Sequence, residues 1–317
     1  MLLVNFGGPR SLAEIPSFLT ALLLDRDVIR TAWPYFVHRL FFTRIANKRA
    51  KKIEPDYQLI GGKSPIFEDT EALALLIQKE STIETIPFHR YLSATHSQFV
   101  DRVKELQPTC VLPLFPQFSY ATTGSIARWF SLHLPREIVA KIQWIKSYAD
   151  HPAYVASMQQ AIRDFLANEH LQEDEVVLLF SSHGLPRAFI ETGDPYEREC
   201  MRSFQAISRG FPQAHSQLSY QSKFGRGEWL RPYTDELCHA ALSWTQKRRH
   251  VVFVPLSFTS DHIETLFEIE YLYLPLIRKA GLQAYRMPAL NQRPDWIQAL
   301  VTIAQTSPRV PNHELYQ

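Results

Sequence analysis

The sequence predicts an α/β protein of two doubly wound, Rossmann-like domains. Each is a roughly four-stranded parallel sheet flanked by helices, with the active-site cleft between them. Three observations predict this. Short apolar runs rich in β-branched residues alternate with helix-period segments along the whole chain. The alternation restarts after Asp150, so the 317 residues divide into 1–147 and 148–317, with a last helix near 294–306 free to pack back on the first domain. No glycine-rich nucleotide fingerprint and no phosphate loop follows any strand, which argues against dehydrogenase and kinase chemistry. The halves show no residue-level repeat, so any duplication is architectural.

In order, Leu2–Phe6 reads as a buried strand ended by Gly7-Gly8-Pro9. Ser11 and Glu14 form a capping-box pattern for a helix to about Leu24, which Pro16 interrupts or restarts. Trp33–Phe42 is strongly aromatic, and Arg44, Lys48, Arg49, Lys51 and Lys52 follow it. Gly61–Pro65 is a loop, Phe67–Lys79 a helix, Arg90–Thr95 a strand, Ser97–Leu106 a helix and Cys110–Phe115 a strand. Pro116–Gly124 is a polar loop into a helix near Ser125–Leu132, and Lys141–Lys146 is a further strand. The second half gives helix His151–Ala167, strand Glu175–Phe180, helix Pro195–Ser208, strand Gln217–Gln221, loop Ser222–Arg231 and helix Thr234–Gln246. Strand Val251–Leu256, a helix after it, strand Gln283–Met287 and helix Pro294–Gln305 complete the chain.

Composition narrows the function. Lys+Arg is 34 against Asp+Glu 32, a balance unlike the basic stripe of a nucleic-acid protein. Cys110, Cys200 and Cys238 are scattered without a CxxC, so neither a zinc ribbon nor a disulfide framework is expected, and a reducing compartment fits. Met1–Pro9 carries no signal-peptide pattern, and no apolar run reaches the roughly 18 residues of a membrane span. The expectation is a soluble, cytoplasmic protein.

Two strand ends carry the chemistry. Val251–Leu256 leads through Ser257–Ser260 into Asp261-His262-Ile263-Glu264, where Thr259 or Ser260 can cap a helix with Asp261 in its first turn. Glu264 and Glu268, four apart, share a helix face. A solvated face gives the same spacing, but two like charges at a strand's carboxyl end are also where open α/β sheets place ligands, and a cation would relieve them. Ser181-Ser182-His183-Gly184-Leu185-Pro186 closes a second strand of that half and brings His183 to the same edge. A histidine with carboxylates can contact a divalent metal or pass protons near neutrality. One imidazole makes the site open and weak, better suited to transient metal handling than to structural zinc.

These residues carry a resemblance. S-S-H-G-L-P with Gly193–Tyr196, Tyr220–Gly225 with Trp229-Leu230, and Phe258–Ile269 resemble ferrochelatase, the terminal enzyme of haem synthesis. The likeness extends in the same order through Asn5–Pro9, Phe18–Asp27, Ile60–Ile66 and Phe115–Ser125. The resemblance implies insertion of Fe(II) into a porphyrin, protoporphyrin or coproporphyrin, with loss of two protons. Porphyrin and ferrous iron are substrates, and no tightly bound cofactor is implied. It assigns His183 and Glu264 to catalysis and, with Glu268, to metal contact. His262 and Asp261 support the helix start. Phe6, Ile29, Tyr120 and Trp229 resemble positions along the macrocycle, and Arg26, Arg30, Arg49, Ser119 and Thr122 are candidates for its propionates. Trp33–Phe42 reads either as a cleft lip, able to touch a membrane surface or a porphyrin-delivering partner, or as an ordinary buried helix.

Two departures stand out. Family members often continue after E-T-L-F-E with further acids, whereas here Ile269-Glu270-Tyr271-Leu272-Tyr273 follows, leaving the place of Glu270 open. No cysteine-bearing extension follows, so no iron–sulfur cluster is expected. The competing readings are a related chelatase for another tetrapyrrole, a non-catalytic porphyrin carrier, and an unrelated two-lobed binding protein.

Overall fold

A computed structural model describes residues 1–225 and 227–316. Arg226, inside the loop expected over Ser222–Arg231, and Gln317 lie outside the described residues. The strands, in chain order, are β1 (Leu2–Asn5), β2 (Ile86–His89), β3 (Cys110–Pro113), β4 (Gln143–Trp144), β5 (Val176–His183), β6 (His215–Gln221), β7 (His250–Pro255), β8 (Gln283–Arg286) and β9 (Val310–Pro311). The chain folds into two compact units, Met1–Ser147 with the residues from Leu300 onward, and Tyr148–Ala299.

The first unit holds a sheet of order β2-β1-β3-β4-β9. Strands β1 to β4 are parallel and β9 runs antiparallel to β4. LLVN and CVLP are buried along their whole length, as expected of parallel strands covered on both faces. Their core gathers Leu2, Val4, Phe88, Val111, Phe130 and Trp144 with Leu315 from the far end of the chain. The Trp144 indole donates to Asn312 Oδ1 at 2.8 Å, and Asn312 Nδ2 donates to Ser131 Oγ at 2.8 Å. The short β9 segment is thus fixed by a satisfied buried polar group as well as by its ladder.

The second unit holds the parallel sheet β6-β5-β7-β8. Val177, Leu179, Val251 and Phe253 on the central strands pack against Ile269, Tyr273, Leu274 and Ile277. Those last four come from a helix of two pitches. Glu264–Tyr273 is a π-helix, closed by Leu274 N donating to Ile269 O, and it continues as an α-helix over Leu274–Lys279.

Several local expectations are corrected. The strand expected at Arg90–Thr95 lies at Ile86–His89, and Ser93–Thr95 is a 3₁₀ turn. Pro87 hides the strand in the sequence, yet β2 is an edge strand, where a missing N–H is tolerated. The Ser11/Glu14 capping box does not form. Glu14 instead accepts from the Arg10 backbone N–H at 2.9 Å and pairs with its guanidinium, and the helix proper is Ile15–Leu24. Thr234–Gln246 breaks at Ala240 into two short helices, Thr234–His239 and Ala241–Trp244. The Pro116–Gly124 loop ends in a π turn over Tyr120–Gly124. There Gly124 is required by space, because a Cβ would come within 2.6 Å of the Leu315 carbonyl oxygen. The antiparallel β9 has no counterpart in the sequence reading, since Val310-Pro311 is too short to register as a strand.

Candidate functional site

Strand β5 does not stop before His183; it ends on it, paired with Gln221 of β6. The ladder therefore holds the histidine's backbone. Ser257 Oγ accepts from His183 N at 3.0 Å, and Tyr196 OH donates to His183 O at 3.1 Å. His183 Nδ1 donates to the Gly184 carbonyl. A neutral imidazole so tied carries its proton on Nδ1 and presents a lone pair at Nε2. That atom faces Glu264 Oε1 at 3.7 Å. Gly184 is needed for close approach: a Cβ there would lie 2.9 Å from Gln221 O and 3.2 Å from the Trp229 ring. Trp229 and Phe258 each stand 6.5 Å, centroid to centroid, from the His183 ring.

Glu264 begins the π-helix, and Thr259 and Ser260 do not cap it. The chain before it is held by Asp261, which lies outside the first turn. Asp261 accepts from Thr265 Oγ1 at 2.7 Å, Asn291 Nδ2 at 2.8 Å and Arg286 Nη1 at 3.1 Å. Asn291 adopts φ +47° and accepts from Asp261 N at 2.8 Å, an arrangement asparagine tolerates better than most residues. His262, expected only to support the helix start, reaches the site. Its Nδ1 donates to Ser260 O at 3.1 Å and its Nε2 lies 3.4 Å from Glu264 Oε2. Burial disfavours the charged ring, but the bond and charge of Glu264 outweigh it and hold the imidazole above its ordinary pKa. Glu264 thus lies between two Nε2 atoms, that of His183 at 3.7 Å and that of His262 at 3.4 Å.

Glu268 lies farther along the π-helix, its Oε2 accepting from Ser222 Oγ at 2.5 Å and Gln221 Nε2 at 3.1 Å. Gln221 Nε2 also donates to Glu264 O at 2.9 Å, so one amide spans both glutamates. Burial first, and the Glu264 charge second, push Glu268 up to about 7. The folded pKa exceeds the unfolded value near 4.5, so the native state binds the extra proton between these limits. Glu268's contribution to stability is therefore greatest at low pH and falls as pH rises through about 7. Glu268→Gln is expected to flatten the decline in Tm between about pH 5 and 8. An unchanged decline in the variant would show that Glu268 is not its source.

The remaining expected residues sort unevenly. A cavity of about 310 Å³ in the first unit is lined by Arg26, Asp27, Arg30, Thr31, Tyr120 and Arg128. Arg26 also donates to the carbonyls of Thr31 at 2.8 Å and Trp33 at 3.1 Å. Arg128, which nothing but a lone arginine on a helix could have signalled, binds Asp27 at 2.8 Å. Beneath this loop Asp25 accepts from Arg90 Nη2 at 2.7 Å, Tyr91 OH at 3.0 Å and Ser125 Oγ at 2.5 Å. Phe6 packs on Tyr91 and Phe115 at 5.1 and 4.7 Å. Ile29 is half-buried, its N–H donating to Asp25 O at 2.8 Å. Ser119 is buried and caps the π turn through Ala121 N, and Thr122 Oγ1 donates to Ser119 O at 3.3 Å. Arg49 is half-buried on helix Tyr35–Leu59 and does not line the cavity.

The ferrochelatase family model matches residues 1–307. The chain belongs to the ferrochelatase family. Ferrochelatase of Chlamydia abortus is 45% identical over 316 residues, covering 99% of this chain and 98% of that one. Ferrochelatase of Chlamydia trachomatis serovar A is 46% identical over 309 residues, 97% and 96% of the two chains. In fold the chain is similar to CbiX, described as the terminal enzyme for biosynthesis of siroheme in denitrifying bacteria (TM-score 0.52, 16% identity, 77% of this chain and 93% of that one). It is also similar to SirB from Bacillus subtilis solved with Fe3+ (TM-score 0.52, 12% identity, 74% and 86%). At these identities the two structures speak to fold alone, an α/β fold shared with chelatases.

As a ferrochelatase, the chain is an enzyme that inserts metal into a porphyrin. Among the described residues, no group of three or more His, Cys, Asp or Glu side chains gathers to hold an ion. The His183–Glu264 pair instead offers a two-point contact, suited to a ferrochelatase metal that arrives and leaves in each turnover.

Proposed function

We propose that this chain inserts Fe(II) into protoporphyrin IX to give protohaem and two protons, as the last step of haem formation, with His183 and Glu264 as its catalytic pair. The observation that carries the assignment is the geometry of His183. Its Nδ1 is committed to Gly184 O, which leaves Nε2 facing Glu264. A flat porphyrin keeps its nitrogen lone pairs in the ring plane and its N–H protons in the metal's way. Insertion requires a base, a weak grip on a partly dehydrated ion, and a pocket that binds a bent ring better than a flat one. His183 Nε2 supplies the base or a metal contact, Glu264 a second contact or proton relay, and Glu268 the next carboxylate. Trp229 and Phe258, each 6.5 Å from the His183 ring, supply apolar surface beside them.

The arginine-lined cavity of the first unit suits carboxylates: Arg26, Arg30 and Arg128 face one acid, Asp27, already paired with Arg128. Ser119 supports this reading by capping the Tyr120 turn, and Thr122 by bonding back to Ser119 O from within it; Arg49 is kept as a candidate, although it does not line the cavity. The proposal includes no iron–sulfur cluster; Cys110, Cys200 and Cys238 are buried free thiols. No described helix is long and apolar enough to cross a membrane, and we place the enzyme in the cytoplasm.

Anaerobic protein with Fe(II) or Zn(II) and protoporphyrin tests the function. Loss of free-porphyrin fluorescence with growth of metalloporphyrin absorption is expected. Binding without turnover would make the protein a carrier, and turnover of coproporphyrin alone would correct the substrate.

Trp33, Tyr35, Phe36, Leu40 and Phe41 expose 42–72% of their surface at the start of helix Tyr35–Leu59, against the buried-helix alternative. With Arg39, Arg44 and Lys48 on the same helix, they suit the surface of an anionic membrane. Co-flotation with vesicles containing phosphatidylserine is expected, and Phe36→Ser with Phe41→Ser should abolish it. Failure of the wild type to float would remove the membrane from this proposal.

A further inference from the structure

The acidic stretch after Glu268 departs from the family pattern, and the structure gives the departing residue a partner. Glu270 Oε1 accepts from Arg286 Nε at 2.9 Å. The same guanidinium donates through Nη1 to Asp261 Oδ1 at 3.1 Å. Arg286 is the last residue of β8, so its backbone belongs to the sheet. Its side chain is only 14% exposed, against 38% for Glu270. One planar fork therefore joins three parts of the unit: the sheet, the turn before the π-helix at Asp261, and the body of that helix at Glu270. Asp261 and Glu270 bracket Glu264 and Glu268.

The π-helix needs such a tie. Wide i→i+5 helices are rare and usually a single turn, because their hydrogen-bonding register competes poorly with the α form. Glu264–Tyr273 is longer than that. Its buried side, Thr265, Ile269 and Tyr273, is held by the core. On its Glu270 side Arg286 is a rigid, always-charged donor.

We propose that Arg286 is a positioning residue of metal insertion: by bridging Asp261 and Glu270 it fixes the π register that presents Glu264 to His183 and Glu268 to Gln221. Glu270 is then the counter-ion of a structural arginine and no part of the metal's path. The inference rests on the chelatase reading, which wild-type turnover tests by itself.

The sign of one effect separates this from simple electrostatics. If Glu270 served the cation directly, removing the neighbouring positive charge in Arg286→Gln would lower KM for metal or leave it unchanged. If Arg286 positions the helix, the same variant raises KM for metal about tenfold and lowers kcat, as loss of outer supports to metal ligands does. KM for porphyrin should stay near the wild-type value.

The experiment is steady-state Zn(II) insertion with the full-length wild type, Arg286→Gln, Glu270→Gln and the double variant, with circular dichroism to confirm folding. Glu270→Gln should raise KM for metal in the same direction, and the double variant should be no worse than Arg286→Gln alone. A lower KM in Arg286→Gln overturns the proposal, as does multiplication of the two single effects in the double variant. A loss of Tm with unchanged KM and kcat would make Arg286 merely structural and equally overturn it. Should Arg286→Gln fail to fold, Arg286→Lys keeps the charge but cannot fork to both carboxylates, and a rise in KM for metal of at least several-fold is expected. Wild-type kinetics in that variant would sink the idea.

Discussion

His183→Ala is expected to abolish metal insertion while leaving the fold and porphyrin binding largely intact. The loss follows from the role proposed for Nε2, which faces Glu264 Oε1 across 3.7 Å. Positioned general bases contribute about 10²- to 10⁴-fold, and loss of a metal contact adds to this, so turnover should fall at least a hundredfold. Retention of the fold follows from where the residue is held. Its backbone bonds and pairing, to Ser257, Tyr196 and Gln221, are all kept by alanine, and only the side-chain bond to the neighbouring Gly184 carbonyl is lost. The side chain is 38% exposed, and substitutions at such positions usually change stability by less than about 0.5 kcal/mol. Porphyrin fluorescence quenching should therefore titrate as in the wild type while metalloporphyrin absorption does not grow. Normal turnover in the variant would remove His183 from the mechanism.

Glu264→Gln should be comparably severe, with a second signature that turnover alone would miss. The amide keeps the size of the side chain but discards the charge that faces His183 and His262. A loss of about 10²-fold or more is expected. His262 reports the change independently. Its ring is held above its ordinary pKa by Glu264 against the opposing effect of burial. With a neutral partner, burial is left to dominate and the His262 pKa should drop below that of the wild type, as NMR titration of the imidazole would show. An unshifted His262 would mean the 3.4 Å contact does not carry the charge interaction assigned to it. Glu268→Gln, one step farther along, should cost less turnover than either.

What the sequence disclosed and what it hid divide on physical lines. β5 and β7 are visible because buried parallel strands read as unbroken apolar runs, VVLLF and VVFV. His183 and Glu264 could be brought together before any coordinates, since strands of one parallel sheet deliver their carboxyl ends to one edge. The π register of Glu264–Tyr273 was not legible: apolar spacing does not distinguish i→i+5 from i→i+4 when tertiary packing decides between them. The role of His262 was hidden for a related reason. Its contact with Glu264 depends on the turn before the π-helix, which Asp261 and Asn291 hold through bonds that no local pattern marks. Arg128, Arg286 and Asn291 are single polar residues whose partners lie far along the chain, and no local pattern marks such pairs. The strand at Ile86–His89 was not legible, because the cost of Pro87 to a strand depends on whether that strand is an edge.

The discontinuity of the first unit also bears on how the protein is made. Strand β4 acquires its antiparallel neighbour, and the Trp144 indole its acceptor, only when residues 310–312 have been synthesised. The second unit is one uninterrupted segment, Tyr148–Ala299. During vectorial synthesis on the ribosome it can complete its sheet while the earlier-made unit still waits with an open edge, reversing the usual order in which the N-terminal part folds first. Nascent chains arrested with Ala299 clear of the exit tunnel should accordingly resist protease over the later segment and be cut in the earlier one. Release of the last residues would then be the step that seals the open edge.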